Sequence, residues 1–192
     1  EFKIESKENL PTLYITGGNQ GANEINIVIF EILNKLLAFV NVIHQTGNSS
    51  FSKDFEIAKK LSEKYKDLPG KYHVFDYVKG DLIGDVMNMS DLIITRAGAN
   101  TLCELLALGK KAIMIPIAKT SHDEQATNAK FYASTGLGVM LEENKLTGNN
   151  LLEQIKLLIN NVPPQSVVDA GRSHIVFDAA DRLAEAVIKY SK

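Results

Sequence analysis

The stretch DLIITRAGANTLCELLALGKKAIMIP, Asp91 to Pro116, contains two apolar runs separated by a turn and a helical pattern. The runs LIIT and AIMIP do not alternate between apolar and polar residues, which is typical of strands covered on both faces. A helix between two such strands indicates a βαβ crossover and hence a parallel sheet. The turn from Arg96 to Thr101 lies where the chain leaves that sheet, and it combines an arginine with small residues.

The same alternation of short β-rich runs and longer helical patterns extends along the chain. We predict strands at 12–16, 40–44, 71–75, 92–95, 111–115 and 138–141. We predict helices at 24–39, 51–66, 81–89, 100–108, 124–135, 149–160 and 176–189, with Thr147 as a possible cap of the sixth. The sequence therefore predicts one α/β domain over residues 1–192: a doubly wound, Rossmann-like parallel sheet of about six strands with helices on both faces. In such sheets ligands bind beyond the carboxyl ends of the strands.

Composition and charge limit the function classes. The chain has 192 residues and a formal net charge of −2, which gives no general attraction to nucleic acid or to an anionic membrane. No apolar run approaches the roughly 18 residues that a bilayer-spanning helix needs. Because the start has neither an initiator methionine nor a signal-like region, we expect a fragment of a longer protein. The single cysteine, Cys103, lies in a helical apolar pattern, where we expect a buried side chain.

Two loops after predicted strands contain candidate ligand groups. In TGGNQGAN, from Thr16 to Asn23, the glycines permit close backbone approach and a helix N-terminus follows, which suits a phosphate. The spacing matches neither GxGxxG nor a P-loop, so a plain strand-to-helix turn remains equally possible. In HQTG, from His44 to Gly47, the side chains can hydrogen-bond a ligand, although a lone histidine at a strand end is more often structural. The four histidines show no metal-ligand spacing, so we expect no metal site.

The turn after the fourth predicted strand is the most informative. Arg96 follows the strand directly, Asn100 or Thr101 can cap the helix, and the free N–H groups of its first turn can face a phosphate. Glu104 stands about one turn further on, where a carboxylate can accept hydrogen bonds from two sugar hydroxyls. The alternative pairs Glu104 with Arg96 in a salt bridge and makes Asn100 a simple cap.

The loop after the fifth predicted strand leads into a polar helix start, with Ser121 or Asp123 as its possible cap. Gln125 and Asn128 are three residues apart, so their amides share one face and can bind the hydroxyls of a sugar. The alternative is a solvated helix start, which would be the more probable interpretation of this loop by itself.

Taken in order, these loops resemble the C-terminal, donor-binding domain of the MurG-type glycosyltransferases. The resemblance rests on ITGGNQGANEIN, HQTG, the region 75–85, ITRAGANTLCELLALGKKAIMIP and HDEQATNA, and it extends from residue 12 to about residue 141. It implies one half of a two-domain GT-B protein, with an acceptor-binding half that precedes residue 1. Members of the family transfer N-acetylglucosamine from UDP-N-acetylglucosamine to undecaprenyl-pyrophosphoryl-muramyl-pentapeptide in peptidoglycan synthesis.

The resemblance also implies roles for individual residues. Glu104 would bind the uridine ribose, Gln125 and Asn128 the hydroxyls of N-acetylglucosamine, and Val78 the uracil through its backbone. The residues implied at or beside the diphosphate are Asn19, Arg96, Gly98, Ala99, Asn100 and Thr101.

Three positions depart from the family pattern. Asn19 stands where the family usually has serine, Ala97 replaces the serine of R-S-G-A, and Glu124 replaces the first residue of a Gln-Gln pair. Glu124 would either put a charge near the sugar or point to solvent, so the departures bear on the donor sugar more than on the nucleotide.

The resemblance implies an inverting hexosyltransferase at the cytoplasmic face of the plasma membrane, without a cofactor or metal. Its partners would be UDP-N-acetylglucosamine and, through the missing half, the lipid-linked acceptor and the membrane surface; no nucleic acid is expected. No catalytic residue is expected in this fragment, which alone should bind donor without transferring it. The alternatives are the donor-binding half of another UDP-sugar glycosyltransferase, or a non-catalytic subunit that recruits a separate membrane partner. A UDP-sugar epimerase would need catalytic carboxylates and a different glycine-serine loop, which the sequence lacks.

Overall fold

The computed structural model describes residues 10–18, 20–49, 51–118 and 123–191. Within these residues six strands form one parallel sheet in the order β3-β2-β1-β4-β5-β6. The strands are β1 (Thr12–Thr16), β2 (Asn41–Gln45), β3 (Tyr72–Phe75), β4 (Leu92–Thr95), β5 (Ala112–Met114) and β6 (Gly138–Met140). The helices are α1 (Asn23–Leu36), α2 (Asp54–Lys64), α3 (Gly80–Met89), α4 (Ala99–Leu108), α5 (Glu124–Ser134), α6 (Gly148–Leu158), α7 (Gln165–Arg172) and α8 (Ala179–Tyr190). The predicted doubly wound α/β class is confirmed.

The sheet is covered on both faces because its central strands are apolar at successive positions. Leu13 and Ile15 of β1 pack into one core with the buried faces of α1 and α6, whereas Tyr14 between them packs into a second core with α3, α4 and α5. Successive side chains of a strand point to opposite faces, so one short strand contributes to both cores. Strands β1 and β4 are therefore buried at every position.

The strand order reverses between β1 and β4, and this position determines where a ligand can enter. The chain winds from β1 outwards to β2 and β3, then returns to β4 on the other side of β1. The loops that follow β1 and β4 consequently run in opposite directions and leave a crevice at the carboxyl edge of the sheet. Both glycine-containing turns that the sequence singled out lie at this crevice.

The helices at the carboxyl end of the chain differ from the prediction. The helix predicted at 176–189 corresponds to α8, but the prediction missed α7, which lies between the two prolines and α8. Helix α7 packs through its buried Gly171 near Leu106 and Leu137, a tertiary contact that local periodicity does not report. Every residue of α8 is exposed, including Leu183 and Val187 on one face.

The structure decides two further local predictions, the cap of α6 and the burial of Cys103. Thr147 caps α6 as predicted, because its hydroxyl accepts a hydrogen bond from the Asn150 N–H at 3.3 Å. The predicted burial of Cys103 is wrong, since the side chain lies on the exposed face of α4. None of the helices in the described residues combines the length and apolar character that a bilayer crossing requires.

Candidate functional site

A cavity of about 540 Å³ opens at the carboxyl edge of the sheet, where the strand order reverses. We call it the switch-point cavity. Its lining comes from the ends of β1 and β2, the loop after β3, and helices α3 and α4. The lining residues are Tyr14, Thr16, Gly18, Gln45, Tyr77, Val78, Gly80, Ile83, Met87, Gly98, Ala99, Asn100, Thr101 and Glu104.

One wall of the cavity is the N-terminus of α4. The helix begins at Ala99, and its N-cap, Gly98, has extended backbone and provides no side-chain cap. The predicted cap by Asn100 or Thr101 is therefore wrong; the two residues lie inside the first turn and line the cavity. The first N–H groups of an α-helix have no partner within the helix, so this wall presents donors and the positive end of the helix dipole.

A single carboxylate follows these donors along the same wall. Glu104 lies three and four residues after Thr101 and Asn100, a spacing that places all three on one side of α4. Partial burial raises the pKa of the Glu104 carboxyl. The wall thus combines an anion-binding end with a hydrogen-bond acceptor one helical turn away.

The opposite wall is mainly apolar. Val78 is buried, and beside it Tyr77, Ile83 and Met87 line the cavity from the loop after β3 and from α3. Gly80, the first residue of α3, lines the cavity too, and a Cβ added there would meet nothing within 4 Å. This wall can receive a flat ring, with space above Gly80 that a side chain would fill.

The floor of the cavity is held together by the side-chain amide of Gln45, from the HQTG stretch. Gln45 accepts hydrogen bonds from the Val78 N–H at 3.1 Å and the Tyr14 hydroxyl at 3.3 Å, and it donates to the Gly18 carbonyl at 2.9 Å. Burial raises the pKa of the Tyr14 phenol above its ordinary value; a hydrogen bond with Thr16 opposes this, and the charge of Glu104 adds to it. The phenol therefore keeps its proton.

Arg96 lines a second cavity, together with the glycine loop, the start of α1 and the loop after β2. Its guanidinium contacts the carboxylates of Glu24 at 3.1 Å and Glu143 at 2.6 Å and donates to the Ile115 carbonyl at 3.3 Å. The alternative salt bridge between Arg96 and Glu104 is therefore wrong. The side chain is 9% exposed, and among the described residues its Nε has no hydrogen-bond partner.

The predicted sugar-binding residues lie outside the lining of the switch-point cavity. Gln125 accepts a hydrogen bond from the Ile117 N–H at 3.1 Å, and Asn128 donates to the Ala97 carbonyl at 3.0 Å. Asn128 thereby supports the turn that leads into α4. Ala97 is buried, whereas Glu124 is exposed to solvent. Asn19, and with it Ser121 and His122, lies outside the described residues.

His44 belongs to a buried network and not to either cavity. The amide N–H groups of Asn26 donate to the Thr46 carbonyl at 2.9 Å and to Asp54 at 2.7 Å, so its oxygen accepts from His44 Nε2–H at 2.9 Å. His44 Nδ1 must then accept from the Tyr72 hydroxyl at 2.8 Å. Burial lowers the pKa of His44 to about 3, so the ring is neutral at pH 7. The structural interpretation of this histidine is the one that the contacts support.

Comparison with known proteins gives a consistent result. The family model described as "Glycosyltransferase family 28 C-terminal domain" matches residues 12–183. The UDP-N-acetylglucosamine--N-acetylmuramyl-(pentapeptide) pyrophosphoryl-undecaprenol N-acetylglucosamine transferase of Clostridium perfringens is 39% identical over 156 residues, 81% of this chain and 40% of that protein. The protein of the same name from Clostridium botulinum is 34% identical over 188 residues, 97% of this chain and 49% of that protein.

A solved structure agrees at the level of the fold. Acinetobacter baumannii MurG aligns with a TM-score of 0.78 at 24% identity, covering 95% of this chain and 51% of that chain. This chain therefore spans about half the length, or less, of the relatives that it matches.

Proposed function

The chain belongs to the glycosyltransferase family 28 C-terminal domains, and from this premise we propose that it binds a UDP-sugar in the switch-point cavity. The observation that carries the proposal is the pairing of two groups on one wall. An uncapped helix N-terminus offers free N–H donors at Ala99, Asn100 and Thr101, and the Glu104 carboxylate stands one turn away. A nucleoside diphosphate has the complementary order of groups, a diphosphate followed by a ribose with two adjacent hydroxyls.

The rest of the nucleotide fits the same orientation. With the diphosphate at the N-terminus of α4 and the ribose at Glu104, the base reaches the apolar wall at Val78, Ile83 and Met87. The absence of a side chain at Gly80 leaves room for a ring to approach this wall. Uracil is the base that the names of the relatives support, because they are UDP-N-acetylglucosamine transferases.

The sugar end of the donor would extend from the diphosphate past the buried Ala97 towards α5. There Gln125 and Asn128, both half-buried, would bind its hydroxyls. In this proposal Arg96 lies behind the diphosphate, and Asn19 adds a hydrogen-bonding side chain from the glycine loop. N-acetylglucosamine is the sugar that the names of the relatives indicate.

For the whole protein we propose transfer of N-acetylglucosamine to the lipid-linked muramyl-pentapeptide acceptor, in peptidoglycan synthesis at the cytoplasmic face of the membrane. The chain would be the donor-binding half, and the acceptor, the membrane surface and any catalytic base would be bound or supplied by a second half. The exposed apolar residues Leu183 and Val187 of α8 are consistent with a surface that another domain covers.

In this mechanism a hydroxyl of the acceptor attacks the anomeric carbon with inversion and gives its proton to the base of the second half, while the bond from that carbon to the diphosphate oxygen breaks and UDP leaves. The charge that develops on the leaving diphosphate would be stabilised by the N–H groups and dipole of α4, which are already oriented before the reaction. The domain alone should therefore bind donor and product without forming a glycosidic bond.

The experiment is calorimetric titration of the chain with UDP, UDP-N-acetylglucosamine, UDP-glucose, UDP-galactose and ADP, together with thermal unfolding in each ligand. We expect UDP and UDP-N-acetylglucosamine to bind and to raise the unfolding temperature, because a ligand of the folded state stabilises it by mass action. Absence of UDP binding at millimolar concentration would refute the site. Equal affinity for the three UDP-sugars would leave the nucleotide site intact and refute the donor sugar.

A further inference from the structure

Gln45 connects the two sides of the switch-point cavity. It is the last residue of β2, it is 3% exposed, and in the sheet it lies level with Thr16 of β1 and Phe75 of β3. The loops that continue from those neighbouring strands carry Gly18 on one side and Val78 on the other. A side chain between them is placed to contact both loops.

Both ends of the amide are engaged, each by a different loop. The Val78 N–H can only donate and the Gly18 carbonyl can only accept, so these partners determine which atom of the amide is oxygen and which is nitrogen. The Tyr14 hydroxyl adds a third hydrogen bond, to the same oxygen. The glutamine amide thus supplies both a donor and an acceptor at this reach without a charge at any pH.

The two loops meet different parts of the proposed nucleotide. Gly18 has a φ of +82°, and a Cβ added there would meet nothing within 4 Å, so this loop faces open space at the diphosphate end of the cavity. Val78 belongs to the apolar wall at the base end. The distance between the two ends of the site therefore depends on the amide that joins the loops.

We propose that Gln45 is a positioning residue for donor binding, which keeps the glycine loop and the base-binding loop at the separation that a uridine diphosphate requires. The inference rests on the proposed function, since it assumes the nucleotide orientation given above. Gln45 acts through the two loops and needs no contact with the ligand.

The first test is Gln45→Met, which keeps the length of the side chain and removes its hydrogen bonds. We expect the Kd for UDP to rise about tenfold, because both loops lose a fixed partner. Thr147→Ala is the control: it removes the cap of α6, away from the cavity, and should lower the unfolding temperature while leaving the Kd for UDP unchanged.

The second test uses Gln45→Glu, whose protonated carboxyl has one acceptor oxygen and one O–H donor, as the amide has. The ionised form lacks the donor for the Gly18 carbonyl. We expect the ratio of variant to wild-type Kd for UDP to be about ten at pH 8 and to fall towards one as the pH is lowered to 5. Tyr14, Tyr77 and Glu104 are the titratable groups among the lining residues, and all three are present in the wild type, so the ratio removes their effect.

The outcomes separate the two proposals. If the wild type does not bind UDP, the proposed function fails and this inference fails with it. If the wild type binds UDP but the Gln45→Glu ratio stays constant with pH, or Gln45→Met binds within about twofold of wild type, the positioning role is refuted and the proposed function stands. A Gln45→Met protein that does not fold leaves the decision to the Gln45→Glu ratio.

Discussion

Replacing His44 by glutamine should destabilise the chain at neutral pH and have little effect near pH 5. Glutamine can keep the donor that reaches Asn26, but it cannot accept from the Tyr72 hydroxyl, which would remain buried without its partner. An unsatisfied buried hydroxyl costs about 2 kcal/mol of unfolding free energy, and we expect this loss at pH 7. His44 is fully buried, and burial lowers its pKa. The difference in stability between wild type and variant should therefore depend on pH.

The pH dependence follows from the difference between the folded and unfolded pKa of His44. Burial lowers the folded pKa from 6.5 to about 3, so between these values the unfolded chain binds a proton that the folded chain does not. The stability contribution of the neutral ring is complete above pH 6.5 and is lost as the pH falls, by about 1.4 kcal/mol per pH unit. At pH 5 the wild type has lost about 2 kcal/mol, which equals the cost of the substitution, so the two proteins should have equal stability there.

The assay is urea unfolding followed by far-ultraviolet circular dichroism at half-unit steps from pH 7.5 to pH 5. Tyr72→Phe is the matched control: it removes the hydroxyl but leaves the buried histidine, so its stability should run parallel to that of the wild type. A gap between wild type and His44→Gln that stays constant over this pH range would refute the reasoning. If the difference in unfolding free energy between wild type and Tyr72→Phe also disappears at low pH, the pH dependence comes from a group other than His44, because Tyr72→Phe keeps the histidine.

Two further predictions concern the ligand site. Glu104→Ala should raise the Kd for UDP about 10- to 100-fold, because it removes an acceptor of ribose hydroxyls. Gln125→Ala should change the Kd for UDP little and reduce the preference among UDP-sugars. If titrations show that Gln125→Ala weakens UDP binding more than Glu104→Ala does, the proposed orientation of the donor is contradicted. Gly80→Ala should weaken UDP and uridine alike by filling the space at the base wall, whereas Gly84→Ala, also open but outside the cavity lining, should raise helix stability without changing either Kd. Identical binding by the two glycine variants would show that no ring approaches Gly80.

Local sequence pattern was sufficient for most of the fold because the strands are continuous apolar runs. The predicted strand at 92–95 agrees with β4 at both ends, and that at 40–44 is displaced by one residue from β2. The prediction failed where tertiary contacts decide the structure. Helix α7 is short, follows two prolines, and buries one residue, Gly171, so it lacks the extended apolar stripe that marks the longer helices.

The candidate site was partly predictable for a similar reason. Five residues close together in sequence line one cavity because a single helix start presents them: Gly98, Ala99, Asn100, Thr101 and Glu104. The partners of Arg96 and Gln45 could not be predicted, because they lie far away in sequence. Glu24 is 72 residues from Arg96, and Val78 is 33 residues from Gln45, so both pairings depend on the order and register of the strands.

The contacts of Arg96 change the electrostatic basis of the proposed site. Among the described residues that line the switch-point cavity there is one charged side chain, Glu104, and no cation. The resemblance to the family implied that the Arg96 guanidinium lies at the diphosphate. In the structure it forms ion pairs with Glu24 and Glu143, which neutralise its charge. Within this part of the chain the diphosphate would therefore be met by backbone N–H groups and the dipole of α4. Such a site has oriented donors and little excess positive charge. A further cation near the leaving group would therefore have to come from outside the described lining. The second half of the proposed enzyme is one source. This division of charge gives a physical reason why the domain would hold UDP and leave the transfer step to the assembled protein.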